Sequence, residues 1–428
     1  MELLPGIGRR RQNDVYRAGV YGHRPRVPTS YRGLAALAKR RLGARSYAYV
    51  AGGAGGETTQ RSNTAAFDKW AVVPRVLRDV SRRDTSVELF GRRLPAPVLL
   101  DPVGALELVH KDADLAVARA AAATGVPMVF SNQASVSMET CSAAMGDSPR
   151  WFQMYWSTSD ELVESLVARA EECGCEALVV TLDTTMLGWR PRDLDLGYLP
   201  FALGQGIAQY TSDPVFQRLA RERAEQAATA REPQPRPTPA AVRALIGMAR
   251  KWPGPFLENL RSPLPRAAVE TFLSIYSRPS ITWSDLGWLR SRTRLPIVLK
   301  GVLHPDDARR AVDAGVDALI VSTHGGRQVD RSIAALDALP DVVAAVDDRM
   351  PVLVDSGLRS GADVVVAVAL GARAALIGRP VAWGLALGGE DGVRQVIENV
   401  LGEFDLTLGL AGLTAVDQLG PEVLRRVG

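Results

Sequence analysis

The chain has 428 residues, 46% of them apolar and 23% charged, which is enough to bury the core of one large α/β barrel or of two ordinary domains. Lys and Arg number 51 against 47 Asp and Glu, so the net charge is only +4 and the positives are spread along the chain. Arg9–Arg11 is a dense basic run near the start; it reads as a solvated tail, and no nucleic-acid partner is expected.

Residues 1–94 precede any regular pattern and are expected to form an N-terminal tail and a cap of helices. From about residue 95 a short apolar run ending in polar residues alternates with Ala-rich amphipathic stretches. The runs are Pro97–Gly104, Val126–Gln133, Trp151–Trp156, Ala177–Thr184, Leu295–Val302, Ala318–Gly325, Pro351–Gly357 and Ala374–Pro380. Near-continuous apolar strands separated by helices mean a parallel sheet covered on both faces. Eight such units predict an α/β fold, a closed (β/α)8 TIM barrel over 95–428. Helix signals agree. His304-Pro305-Asp306-Asp307 places proline and acids in a first turn, with Gly315 as the stop, and Thr282-Trp283-Ser284-Asp285 resembles a capping box.

One interval breaks the rhythm. Between the fourth and fifth runs lies an insertion, residues 185–280, far longer than an ordinary βα connection. Arg231–Pro239 is Pro-rich and expected to be flexible, while Ala240–Lys251 reads as helical. An insertion at this position overhangs the catalytic face, so it reads as a lid, with a decorative insertion or a contact between subunits as the alternatives.

The strand ends carry the chemistry, because a barrel of this kind builds its site there. They bring Pro102, Val103, Gly104, Ser131, Gln133, Gln153, Tyr155, Thr181, Asp183, Lys300, Ser322, His324 and Arg327 to one rim, with Asp355, Gly357, Arg359, Gly378 and Arg379. The last two ends each pair a glycine with an arginine beside a helix start, the usual place for a phosphate in a barrel. His324 is followed by two glycines and then Arg327. A histidine accepts a proton near neutrality and an arginine holds a carboxylate bidentately, which together fit proton removal from a small carboxylate-bearing substrate. Asp183 is placed to orient the imidazole. His23, His110 and His304 have local structural readings.

Other chemistries find no support. Gly52-Gly-Ala-Gly-Gly56 and Gly204-Gln-Gly206 fail the dinucleotide fingerprint, and neither a Walker lysine nor His-Glu-x-x-His occurs. Cys141, Cys173 and Cys175 make no disulfide framework, and Cys173-Gly-Cys175 has no second ligand pair, so no metal is expected. With no signal-type apolar region and no long uncharged apolar stretch, the expectation is a cytoplasmic protein without a membrane span.

With these residues in view, the chain resembles the FMN-dependent 2-hydroxy-acid oxidase/dehydrogenase family. Ser-Thr-His-Gly-Gly-Arg-Gln at 322–328 is similar to its active-site signature. Tyr-x-Tyr-x-x-Gly-Gly-Ala at 47–54, Thr-x-Asp-Thr at 181–184, Leu-Lys-Gly at 299–301, Asp-Ser-Gly-x-Arg at 355–359 and Ile-Gly-Arg-Pro at 377–380 follow in family order. The likeness runs from about residue 30 to the C-terminus apart from the insertion. Gly188-Trp-Arg-Pro-Arg-Asp-Leu194, residues 211–216, 304–310 and 383–389, and the insertion itself look like the lactate 2-monooxygenase branch.

The resemblance implies FMN as cofactor, a small L-2-hydroxy acid as substrate, molecular oxygen as acceptor and a homotetramer or larger assembly. It gives His324 the role of base, paired with Asp183. It has Arg327 and Arg190 clamp the substrate carboxylate (Arg192 is the neighbouring candidate), and has Tyr49 and Tyr155 hydrogen-bond the substrate. Lys300 would support the reduced flavin ring. The backbone of Pro102, Val103 and Gly104, with Ser131, Gln153, Thr181 and Ser322, would hold that ring. Asp355, Gly357, Arg359, Gly378 and Arg379 would take the ribityl chain and phosphate.

Three positions depart from the family pattern. Asp101 stands where a small residue is usual, and a carboxylate there must be neutralised, paired or turned to solvent. Gln133 makes the substrate pocket more polar, and Thr323 replaces an asparagine. The reaction class is unaffected, but the substrate is left open. So is the outcome after oxidation: release of keto acid and peroxide, retention and oxidative decarboxylation, or electron transfer to a carrier. An FMN-barrel isomerase and a flavin-binding scaffold are the rival readings.

Overall fold

The computed structural model describes residues 6–229 and 238–427. Eight parallel strands, numbered β1 to β8 in chain order, close into a barrel: Val98–Leu100, Met128–Phe130, Arg150–Met154, Leu178–Thr181, Ile297–Lys300, Ala318–Val321, Val352–Val354 and Ala374–Ile377. Each neighbour pairs in sequence order, and β8 returns to β1 with Ile377 opposite Leu100. All eight fall inside the apolar runs of the sequence except that β3 begins one residue early, at Arg150. Most stop three or four residues before the run does. The leftover residues turn over the rim as loop, where their backbone groups meet side chains instead of a ladder.

Alternation along the short strands divides the core in two. Leu99, Val129, Trp151, Val179, Val298, Ile320, Leu353 and Leu376 fill the barrel interior as one cluster. Val98, Leu100, Met128, Phe130 and their equivalents face outward into the helical layer. The floor of the barrel is plugged by a hairpin, Val87–Leu89 against Arg92–Leu94, whose Val87, Leu89 and Leu94 join the interior cluster.

The N-terminal segment is therefore not a purely helical cap. It has four helices, Ile7–Val20, Tyr31–Arg41, Ala44–Ala51 and Thr58–Ala65, but also this hairpin and the strand Trp70–Val72, which pairs antiparallel with Leu424–Arg426. The Arg9–Arg11 run is not a solvated tail either. It belongs to the first helix, which packs on the long C-terminal helix Arg379–Leu410. Gly8 donates its N–H to Asp405 (2.9 Å), and a Cβ on Gly8 would lie 2.5 Å from Gly402 O, so only glycine permits this approach. Arg11 pairs with Glu398 at 3.0 Å, while Arg9 and Arg10 remain exposed.

The helix signals hold. Pro305–Asp313 is capped by His304, whose Nδ1 accepts from Asp306 N, and Pro239–Lys251 is helical. At 282–285 the Asp285 carboxylate accepts from Thr282 N (2.6 Å), one half of the expected box. The insertion folds as a cluster of helices over the rim, including Pro214–Thr229, Pro239–Lys251 and Leu264–Ile275. Its Tyr210 and Phe272 meet edge to face at 4.8 Å. Most of the Pro-rich stretch, residues 231–237, lies outside the described residues. No helix among the described residues is long and apolar enough to cross a membrane.

Candidate active site

The C-terminal rim encloses a cavity that opens to solvent at its mouth. Its wall includes Tyr49, Pro102, Val103, Gly104, Gln133, Gln153, Tyr155, Arg190, Lys300, His324, Arg327, Gly357, Arg359, Gly378 and Arg379, all of them anticipated. Ser131, Thr181, Asp183, Ser322 and Asp355 stand just behind that wall and tie it together.

His324 follows β6 in a left-handed backbone conformation, φ 55°, made affordable by Gly325 and Gly326 after it and by its N–H bonding Ser322 Oγ at 2.9 Å. This aims the ring across the barrel. Nδ1 meets Asp183 Oδ1 at 2.8 Å and Thr184 Oγ1 at 3.1 Å, leaving Nε2 toward the cavity, 3.4 Å from Tyr155 OH. Burial pushes the imidazole below its ordinary 6.5; Asp183 opposes that, and Lys300 and Arg190 add to it. Burial alone would raise the Asp183 carboxyl, but His324 and then Lys300 hold it below the usual range. The pair is thus a neutral imidazole backed by an ionised carboxylate.

Two guanidinium groups face this pair. Arg190 is buried and donates to Arg327 O (3.2 Å) and Gln328 Oε1 (2.8 Å). Arg327 donates to the carbonyls of Tyr49 and Gly52 and lies 4.9 Å over the Tyr49 ring. Among the described residues neither makes an ion pair. Burial, then the neighbouring Arg190, push Arg327 down to about 10. Arg192 instead pairs with Glu57 at 2.6 Å and is not among the residues that line the cavity, whereas Arg190 is.

Deeper in the cavity, Lys300 at the end of β5 pairs with Asp355 and donates to Ser322 Oγ at 2.9 Å. Burial opposes its charge, yet Asp355, Asp101 and Asp183 together hold the ammonium above its ordinary value. A ladder of neutral groups runs beside it: Gln153 accepts from Asn132 N (3.0 Å) and donates to Thr181 Oγ1 (3.1 Å), and Gln133 N donates to Ser131 Oγ (3.1 Å). At the far end Arg359 lies 4.6 Å over Tyr31, and Arg379 donates to the carbonyls of Val50, Gly52 and Gly325 at 3.0–3.1 Å. Neither has a carboxylate partner among the described residues, and burial followed by Arg359 pushes Arg379 down to about 9. A cavity with neutral walls, one fixed ammonium and anion-seeking arginines fits a flat ring that carries a phosphate.

Comparison with known proteins agrees. The profile of the FMN-dependent dehydrogenase family matches residues 38–426. The chain belongs to that family. It is 41% identical over 417 residues to an FMN-dependent alpha-hydroxy acid dehydrogenase of Penicillium citrinum, covering 97% of this chain and 95% of that one. It is 38% identical to an L-lactate oxidase of Lysinibacillus sphaericus, covering 92% and 91%. A crystal structure of mandelate oxidase with (S)-4-hydroxymandelic acid superposes with TM-score 0.75 at 36% identity, covering 93% of this chain and 98% of that one. This FMN-dependent dehydrogenase is accordingly a 2-hydroxy-acid oxidoreductase.

Several residues of the site escaped the sequence reading. Thr184, bonded to both His324 and Asp183 (2.9 Å to the latter), lies in the Thr-x-Asp-Thr motif, whose pattern alone gives it no role. Leu187 and Tyr276, from the two ends of the insertion, line the cavity. Ser356, at φ 70°, accepts from Thr323 N and Gly325 N and donates to Asp355 Oδ1 (2.7 Å), fastening the histidine loop to β7. Of the three departures, Thr323 accepts from Asn63 Nδ2 at 2.7 Å and Gln133 faces the cavity. Asp101 is turned inward, 4.0 Å from Lys300.

Proposed function

We propose that the protein oxidises a small L-2-hydroxy acid to the 2-keto acid and passes the electrons to molecular oxygen. The observation that carries this reading is the opposition of the His324–Asp183 pair to Arg190 and Arg327, two buried cations that form no ion pair among the described residues. FMN, when bound, supplies the two-electron acceptor. Lys300, the Gly104 backbone and the Ser131–Gln153–Thr181 ladder with Ser322 would hold its ring; Asp355, Gly357, Arg359, Gly378 and Arg379 would take its ribityl chain and phosphate.

Around it, this chain's residues divide the work. Arg190 and Arg327 bind the substrate carboxylate, and Tyr49 and Tyr155 orient the adjoining hydroxyl. His324 accepts the departing proton at Nε2. Asp183, seconded by Thr184, fixes the opposite nitrogen as donor and stabilises the imidazolium that forms.

The finer outcome we propose is monooxygenase-like: hydroxy acid and O2 give the acid one carbon shorter, CO2 and water. Leu187, Arg190 and Tyr276 of the insertion form part of the cavity wall, so products leave past it, and retention of keto acid beside peroxide needs such a cover. The test is to mix the flavin-loaded protein anaerobically with a panel of L-2-hydroxy acids, follow bleaching of the visible flavin band, then admit oxygen and identify products. Bleaching followed by the shortened acid and CO2 supports both parts. Keto acid with H2O2 retains the oxidase and removes the decarboxylation, whereas slow reoxidation in air points to a carrier instead of oxygen. No bleaching by any acid would sink the reading.

A further inference from the structure

Asp101 follows β1 directly and lines the cavity with Pro102, Val103 and Gly104. Its backbone N–H is bonded to Ile377 O (3.1 Å), so it is fixed to the strand that closes the barrel. Its Oδ1 is buried, has no hydrogen-bond partner, and lies 4.0 Å from Lys300 Nζ, beyond bonding distance. Its Oδ2 faces Gly378, where a Cβ would come within 3.0 Å. The charged groups facing it are Lys300 from β5, Asp355 from the end of β7 and Asp183 from the end of β4.

Two carboxyls therefore look at one ammonium, and Asp355 alone holds it at bonding distance. With Asp101 ionised, Lys300, Asp355 and Asp101 sum to −1; with Asp101 protonated they sum to zero. Burial first, and then the two neighbouring carboxylates against the pull of Lys300, raise Asp101 to about 8. Like charges in a shared buried site keep one member protonated.

Resting on the assignment of this cavity to FMN, we propose that Asp101 is a positioning residue for the electrostatics of the flavin. Its proton decides how much of the Lys300 charge reaches the bound ring, and so sets the reduction potential as a function of pH. A net negative trio disfavours adding electrons to the ring and a neutral one does not. Asp101 touches no reacting atom; it acts through Lys300.

Spectroelectrochemical titration of the FMN-loaded protein from pH 6 to 9.5 tests this, with Asp101→Asn and Asp101→Ala beside the parent. The parent's potential should fall more steeply with pH from a break near 8. Both variants should give a line without that break, matching the parent at pH 6 and lying above it at pH 9.5. A parent plot without a break, or parallel lines for all three proteins, would overturn the role of Asp101 while leaving the cofactor assignment standing. Failure of the parent to take up FMN at all would remove both. The break in the parent is required whether or not either variant folds.

Discussion

Two sets of arginines in this molecule behave in opposite ways. Arg169, 10% exposed at its side chain, lies under the insertion and is closed on every side. It pairs with Asp213 (2.9 Å) and Glu139 (2.8 Å) and donates to Gln209 O and Ser212 Oγ. Asp213 also accepts from Ser165 Oγ and from the N–H groups of Val215 and Phe216. Burial opposes the Arg169 charge, yet Glu139 and Asp213 carry it above its ordinary value. At the rim Arg327 and Arg379 move the other way, to about 10 and about 9, because burial and neighbouring arginines outweigh the weaker pull of Asp193 on the first and Glu57 on the second, and neither forms an ion pair among the described residues. A buried charge that serves structure is neutralised by the fold; one that serves a ligand is left for the ligand to neutralise.

The sharpest way to separate the two kinds of site is His324→Ala, which lies in the open set. Loss of the base should slow flavin reduction by substrate roughly 10²–10⁴-fold. Bound flavin should be retained. Normal reduction kinetics would remove His324 from the chemistry.

Arg169→Met attacks the closed set. It strands the fully buried Asp213, and breaking such a pair costs about 3–5 kcal/mol. Urea melts should show that loss as a lower midpoint with unaltered slope, and any protein still folded should reduce normally. A midpoint within the error of the parent would mean that the network is not what fastens the insertion to the barrel.

Arg327→Met should give the reverse pattern. Removing one member of a buried, hydrogen-bonded charge pairing costs about 2–5 kcal/mol, so kcat/KM should fall roughly 30- to 5000-fold as substrate loses its carboxylate clamp. Stability should stay within about 1 kcal/mol, because the lost bonds to Tyr49 and Gly52 carbonyls are offset by relief of a buried cation that forms no ion pair among the described residues. A large stability loss with intact kcat/KM would move Arg327 into the structural set.

The sequence revealed this division unevenly, for physical reasons. The eight strands were legible because parallel strands buried on both faces need unbroken apolar runs, as at Val352–Val354. Most of the rim was legible because barrel closure forces every strand end to one face, wherever it falls in the chain. What was missed depends on contacts that no local pattern encodes. Tyr276 reaches the cavity from the far end of the insertion. The plug at 87–94 is too short to read as a hairpin. The first helix looks like a tail because its docking depends on Gly8 and Arg11, not on an apolar stripe. Asp101 was legible as an anomaly, but only the fold shows that it turns inward toward Lys300.

The smallest expected effect is in the pH dependence of the parent enzyme, and its sign follows from the neighbours of His324. The base must be neutral to accept a proton, so kcat/KM rises with pH as the imidazole deprotonates. Burial, Lys300 and Arg190 favour the neutral ring, so the acid limb should lie below the ordinary 6.5 and activity should be level through neutrality. Asp183 is the one neighbour that raises the imidazole, and Asp183→Asn should therefore move the limb further toward acid, beyond any loss of rate. An acid limb above 6.5 would mean that the carboxylate outweighs burial at His324, and one above neutrality that the ring is mostly cationic at pH 7 before substrate arrives. In that case the histidine would belong with Arg169, as a charge already balanced inside the fold, and another group would have to take the proton.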